Sequence, residues 1–526
     1  MPQRSQSHVN EGLTMKRALA KINRAPAPGK NGGFVLLLFM IVTIGVIGVL
    51  LVSRLNAGAA QVARDQATDE TLRIASDALI AYAAGRRFSA GVPMPGSLPC
   101  PDLNDDGDAE GSCGSASGNT QQQNRLGRLP WRTLGIPDLR DGSGERLWYA
   151  VSSKYKAATA NLDLNPTTGR GTITLRDSAG TVIHDGTSSD IYAGSSGGAV
   201  ALIIAPGQVL KRQGAAAQQD RSCSGGSCNP AGDPAGTCTS TPTSLTAKCN
   251  PANYLDTALG EDNANFVDDN VTRTANGNGF IKGPVLVSGE IAVNDRIIAI
   301  TQDQIMSAVQ QRIASEAMGC LRLYAAANRG RYPWPAPVCR QANLMDVNAW
   351  SDHDSVSFGR IPDTNFDTTI AYSMADTWGA GECNIGFAWW SAWKMHVFYA
   401  VADAYKPNAT GNGGPCTTSS SCLQVQDSGG NVIAASKQIA VIVAGRPLNT
   451  TTPAQVRGGS NDGYASNYLE ISNKALEGLI NAPLPAACSS LTPAPVSTAC
   501  SPLSSCNKVT SSVRQSGLND VVIYYP

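Results

Sequence analysis

The sequence predicts an α+β protein in which a long N-terminal transmembrane helix precedes two tandem heads, each a helix plus an antiparallel sheet, with many disulfides. Three observations predict it. Residues 34 to 52 are an uninterrupted uncharged run. The chain beyond the helix repeats itself in order. Fourteen cysteines, many of them in Ser/Gly-rich stretches, point to an oxidising compartment.

The first element is the apolar run. Nineteen residues from Phe34 to Val52 would cover about 28 Å as a helix, enough for the hydrocarbon layer of a bilayer. Arg4, Lys16, Arg17, Lys21, Arg24 and Lys30 precede it against Glu11 alone. By the positive-inside rule the N-terminus stays cytoplasmic and the remainder is exported. No small-residue cleavage site follows the run, so a conventional removable signal is disfavoured. Helix-permissive sequence without proline continues to about Ala84, giving a basic leader over 1–33 and a transmembrane and stalk helix over 34–84.

The heads follow from an internal duplication. Arg73-Ile74-Ala75-Ser76-Asp77-Ala78 returns as Arg312-Ile313-Ala314-Ser315-Glu316-Ala317, and Cys100 corresponds to Cys339 at the same offset. Gly127-Arg128-Leu129-Pro130 returns as Gly359-Arg360-Ile361-Pro362, and the segment from Trp148 returns from Phe398. Asn253-Tyr254-Leu255 matches Asn467-Tyr468-Leu469, and Asn294-Asp295 matches Asn519-Asp520. These matches keep one order, so the boundary falls near residue 301, with a first head over 85–301 and a second over 302–526. Each copy opens with a helix. The second, QDQIMSAVQQRIASEAMGCLRLYAAA, is amphipathic and packs on a sheet. Alternation around Asp177-Ser178-Ala179-Gly180 and Asp427-Ser428-Gly429-Gly430 marks a hairpin in each copy. AVALIIA and IAVIVAG read as buried strands.

The junction Gly32-Gly33-Phe34, with basic residues before it and an apolar helix after it, resembles the class III signal of type IV pilins and pseudopilins. The resemblance covers about 50 residues. It implies cleavage between Gly33 and Phe34 by a prepilin peptidase, methylation of Phe34, and two tandem pilin-like heads. Leu38 stands where ordinary pilins carry a Glu at the fifth mature position, which by resemblance points to a large minor or tip subunit. The implied partners are other pilins or pseudopilins and the inner-membrane assembly platform. The implied place is the bacterial inner membrane, single-pass, with the heads in the periplasm or at a filament tip on the cell surface. The function expected is non-enzymatic: to initiate or cap a type IV pilus or a type II secretion-like filament and to present a contact surface. The competing reading is an anchored periplasmic or surface binding module or adhesin outside any filament.

Charge excludes little but is informative about partners. Forty-one Lys+Arg balance 41 Asp+Glu, leaving no global field to recruit nucleic acid. Asp102, Asn104, Asp106 and Asp108 occupy alternate places of a D-x-N-x-D-G-D stretch, and Glu110 could add a ligand, so Ca²⁺ is the cofactor this loop would take. Cys113 stands at the twelfth place, where an EF-hand has its bidentate Glu, and a solvated acidic turn without an ion is the other reading. A Cys100–Cys113 bridge would close around the loop.

The disulfide set also includes Cys223, Cys228, Cys238, Cys249, Cys320, Cys339, Cys416, Cys422, Cys500 and Cys506. Zinc on Cys223, Cys228, Cys238 and Cys249 is disfavoured by loose spacing. Trp378, Trp389, Trp390 and Trp393 crowd one insertion in the second copy and form either a binding surface or core beneath an enlarged loop. A G-x-S-x-G pattern at Ser196 runs from a Gly/Ser loop into a strand, contrary to the strand-to-helix turn a nucleophile elbow needs.

Overall fold

The computed structural model describes residues 32–85, 95–113, 125–156, 171–187, 197–214, 218–219, 250–265, 279–339, 350–352, 357–363, 393–407, 422–449, 454–470, 508–510 and 519–526, together with Tyr192, Arg221, Trp390 and Asn473. It divides into two compact units, Met1–Ala63 and Arg64–Pro526.

Helix α1 is Gly32–Gly85. The first half of Arg64–Pro526 then supplies β1 (Leu126–Arg128), β2 (Trp148–Val151), β3 (Leu175–Arg176), β4 (Val182–His184), β5 (Ala201–Ala205), β6 (Thr257–Ala258), β7 (Glu261–Asp262), β8 (Phe280–Ile281), β9 (Val285–Val287), β10 (Glu290–Val293) and β11 (Arg296–Ile300). Helix α2 is Gln302–Ala327, and after it come β12 (Phe358–Arg360), β13 (Val397–Val401), β14 (Leu423–Gln426), β15 (Val432–Lys437), β16 (Ile439–Val443), β17 (Lys508–Thr510) and β18 (Val521–Tyr525).

Two four-stranded antiparallel sheets carry the architecture, in the orders β1-β2-β5-β11 and β12-β13-β16-β18. The two sheets share one register, which agrees with the sequence repeat at β1 with β12, β2 with β13 and β11 with β18, while the central strands align Ala201 with Ile439, two residues off the match of Ala199 with Ile439. Across the first sheet Arg128 lies opposite Trp148, Trp148 opposite Ile204 and Ile204 opposite Ile297. Across the second, Arg360 lies opposite Phe398, Phe398 opposite Ile442 and Ile442 opposite Val522. The hairpins repeat too. β3 pairs antiparallel with β4 and parallel with β8, while β14 pairs antiparallel with β15 and parallel with β17.

The glycine of each Gly-Arg-x-Pro block has a geometric cause. A Cβ on Gly127 would stand 2.6 Å from the carbonyl oxygen of Asp102, and one on Gly359 would stand 2.1 Å from that of Ala336. In both places a bridging segment hydrogen-bonds the edge strand at closest approach, Asp102 to Arg128 and Ala336 to Arg360.

Both helices bury apolar residues in one core. Leu72, Ala75, Leu79 and Ala83 of α1 and Ile305, Val309, Ile313, Ala317 and Leu321 of α2 join Tyr149, Ile203, Tyr399 and Val441 of the sheets. The opposite face of the first sheet packs Trp148, Leu202, Ile204 and Ile297 against Tyr254, Leu255 and Phe280. Burial on both faces explains why β5 reads as a continuous apolar run rather than an alternating one. Helix α2 starts on a capping box, with the Thr301 backbone N–H donating to Gln304 Oε1 at 2.8 Å. Its Arg312 donates to the Ala84 carbonyl at 2.8 Å, closing the C-terminal end of α1.

One expectation is overturned. No helix among the described residues is long and apolar enough to cross a membrane. The transmembrane helix expected over 34–84 is therefore not supported, nor is the single-pass inner-membrane placement with a cytoplasmic N-terminus and periplasmic heads. Beside α1 and α2, the described residues form six small sheets. From Arg64 onward α1 carries Arg64, Asp65, Asp69, Glu70, Arg73 and Asp77, and at about 3 kcal/mol for each charge at the centre of a membrane helix that part of the expected 34–84 span is unsuited to a bilayer.

Candidate functional site

The acidic loop 101–113 hangs from β1. The Arg128 backbone N–H donates to the Asp102 carbonyl at 2.7 Å and the Asp102 N–H to the Arg128 carbonyl at 3.0 Å. A disulfide joins Cys100 to Cys113, with Cα atoms 5.6 Å apart, and closes the loop. Within it Asp102 is buried, and its carboxylate accepts the backbone N–H groups of Asn104 at 3.2 Å, Asp105 at 2.7 Å and Gly107 at 2.7 Å. Burial, with the negative charges of Asp105 and Asp106 adding to it, pushes the Asp102 acid up to about 6 despite those donors. Gly107 turns the chain at φ +91°, and a Cβ there would strike the Trp131 indole at 2.6 Å.

The remaining oxygens lie in the same order. Asn104 Nδ2 donates to Asp106 Oδ2 at 2.8 Å, and Asp106 Oδ1 accepts the Asp108 N–H at 2.8 Å. Glu110 Oε1 is buried without a hydrogen-bond partner among the described residues. Asp105 is turned away to Arg146, 2.7 Å off. Among the described residues no group of three or more His, Cys, Asp and Glu side chains is gathered to hold a metal ion. The oxygens of Asp102, Asn104 and Asp106 instead engage amide N–H groups of the loop itself, and Glu110 keeps an oxygen over. Oxygen donors are the ligand type that a hard cation such as Ca²⁺ takes. The second copy has Ala336 at the position of Asp102, the partner of the equivalent strand, and so has no such loop.

The two described tryptophans of the insertion are core. Trp390 is 6% exposed and Trp393 is fully buried. Trp390 Nε1 donates to Asp363 at 3.3 Å, which also holds Lys394 at 2.9 Å. Trp393 packs on His396, 6.0 Å between ring centres, and His396 on Tyr468 at 5.6 Å. Burial, with Arg457 and Arg360 nearby, keeps that imidazole neutral far below its usual range. Trp378 and Trp389 lie outside the described residues, as does Ser196. Gly33 and Phe34 sit at the start of α1. Of the other cysteines expected in disulfides, Cys320, Cys339 and Cys422 are disulfide-bonded, and Cys223, Cys228, Cys238, Cys249, Cys416, Cys500 and Cys506 lie outside the described residues.

Two polar clusters were not foreseen from sequence. In the first repeat, Asp295 Oδ2 accepts the Asp256 N–H and Asn263 Nδ2, both at 2.8 Å. Asp256 in turn accepts the Asn294 N–H at 2.8 Å and Gln219 Nε2 at 2.9 Å. In the second repeat, Asp520 Oδ2 accepts the Glu470 N–H at 3.2 Å and Asn473 Nδ2 at 3.0 Å. Glu470 accepts the Asn519 N–H at 3.1 Å and Gln455 Nε2 at 3.0 Å. Each glutamine also clamps the loop after the central strand, accepting the N–H of Leu210 at 3.2 Å or of Leu448 at 3.0 Å.

Beside each cluster an arginine is sandwiched. Arg128 lies 4.3 Å from the Trp148 ring and 4.1 Å from Tyr254, and Arg360 lies 4.3 Å from Phe398 and 4.6 Å from Tyr468. The signal was available in sequence, since Asn253-Tyr254-Leu255 and Asn294-Asp295 are repeat blocks, but nothing in their spacing reveals that they meet.

Comparison with known protein families, curated proteins and solved structures finds no match.

Proposed function

We propose that this chain is a non-enzymatic, minor pilin- or pseudopilin-like component that initiates or caps a type IV pilus or type II secretion-like filament. The observation that carries the reading lies within Arg64–Pro526: two four-stranded antiparallel sheets of matching register share one core with the apolar residues of α1 and α2. The Gly33-Phe34 junction at the start of α1 and Leu38 in the fifth mature position support it. Its partners in this reading are other pilin-like subunits, the assembly platform and the prepilin peptidase. A duplicated body is bulky for a repeating position, which favours an end of the filament. Deleting an initiating subunit lowers the number of filaments per cell while leaving their length distribution unchanged. Filaments of normal number in the deletion strain would refute the role.

Calcium at the acidic loop is a second element of the proposal, supported by the unmatched Glu110 oxygen. Asp102, Asn104, Asp106, Asp108 and Glu110 would hold it, and it would stiffen the loop without taking part in a reaction.

A further inference from the structure

The paired acids of the two clusters pose a problem of charge. Asp295 and Asp256 are both fully buried; Asp520 and Glu470 are 4% and 1% exposed. Two ionised carboxylates side by side in a desolvated site repel strongly, and one of them then keeps its proton. The hydrogen-bond pattern shows which. Asp256 and Glu470 have both oxygens occupied by N–H donors. Asp295 and Asp520 each have Oδ2 occupied, while Oδ1 is buried with no partner among the described residues. An ionised oxygen left without a donor in a desolvated site is costly, and protonation removes its charge.

We propose that each repeat contains a proton lock, with Asp295 and Asp520 held as neutral carboxylic acids at neutral pH and releasing their protons only in alkali, where the clamp they form loosens. Each lock stands one residue before the strand that completes its sheet, β11 in one repeat and β18 in the other. It ties that strand to the 251–263 or 465–473 segment and, through Gln219 or Gln455, to the loop after the central strand. Ionisation converts a carboxylic acid into a carboxylate and a proton lost to water, leaving two buried negative charges at the junction of these segments.

The other charged groups bearing on the first pair are Arg221 and Arg212, and on the second Arg457. All are cations and favour ionisation. Burial outweighs them, holding Asp295 and Asp520 well above the usual carboxylate range, with the neighbouring acid as the next cause, and raising Asp256 to about 6. These acids are therefore held higher in the folded chain than in the unfolded one. The stability they confer is fully present below the ordinary carboxylate range and is lost as pH rises through the folded-state values.

The test is urea unfolding of the full chain from pH 5 to alkaline pH, beside Asp295→Asn and Asp520→Asn. The folded-to-unfolded ratio of the wild type is expected to fall with rising pH, by up to about tenfold per pH unit for each locked acid. Each asparagine variant, which keeps a neutral donor in place of the acid, is expected to remove one share of that slope. A ratio independent of pH, or a slope unchanged in both variants, would overturn the lock. Should a variant fail to fold, the infrared carbonyl stretch of protonated carboxyl in wild-type protein decides. It is expected at pH 7 and lost in alkali, and its absence at pH 7 overturns the proposal.

Discussion

Asp295 and Asp520 occupy one position in two different sheets: each accepts the backbone N–H of a second buried acid, Asp256 at 2.8 Å and Glu470 at 3.2 Å, and each immediately precedes the last strand of its sheet. The same side-chain types close the same bonds 225 residues apart in sequence, counting from 295 to 520. The duplication thus extends below strand order to individual hydrogen bonds.

The glutamine clamps give the first expected outcome. Gln455 is fully buried, donates to Glu470 and accepts from Leu448. Gln455→Leu has about the right volume but leaves a buried amide and a buried carboxylate short of partners. It should destabilise by about 2–4 kcal/mol in urea unfolding, and Gln219→Leu should cost a similar amount in the other repeat.

A milder loss is expected at the paired tyrosines. Tyr149 donates its hydroxyl to the Pro99 carbonyl at 3.1 Å and Tyr399 to that of Pro333 at 2.5 Å. Tyr149→Phe and Tyr399→Phe keep the ring and remove one bond each. A loss of about 1 kcal/mol apiece in denaturant midpoints is the expected result.

The close backbone contact at Gly359 admits no side chain, because the nearest atom is a carbonyl oxygen that cannot swing away. Gly359→Ala should break the bridge between Ala336 and Arg360 and cost about 3 kcal/mol or more. Gly319→Ala, where nothing lies within 4 Å of the added carbon, is the control and should be neutral or slightly stabilising in its helix.

For the acidic loop, millimolar Ca²⁺ should raise the melting temperature saturably, and Asp106→Ala and Glu110→Gln should each weaken the effect. Equal Mg²⁺ should do less, because an irregular all-oxygen loop suits calcium better than rigid octahedral magnesium. A melting temperature indifferent to Ca²⁺ would assign the loop to the solvated-turn reading. Reduction of the Cys100–Cys113 bridge, which spans 13 residues, should cost about 3 kcal/mol on its own.

Much of this architecture was legible in the sequence. The amphipathic segment from Gln302 to Ala327 is α2, and the Asp177 and Asp427 turns close the two expected hairpins. Local periodicity and turn chemistry carry those elements, and both are written in neighbouring residues. The acid locks were not legible, because Asp256 meets a partner 39 residues away and Glu470 one 50 residues away. Polar residues in turn-rich sequence read as solvated until the fold buries them. Trp390 and Trp393 show the converse case, aromatic residues in a loop-like insertion that the core claims. The apolar run before Ala63 led to the membrane-spanning expectation that the described helix does not support.

The most direct test of the pilin-like role is the N-terminal mass of the chain purified from cells with and without the prepilin peptidase. A chain beginning at methylated Phe34 only when the peptidase is present is the expected result. A chain that retains residues 1–33 in both strains would contradict the role and leave a two-repeat binding module outside any filament.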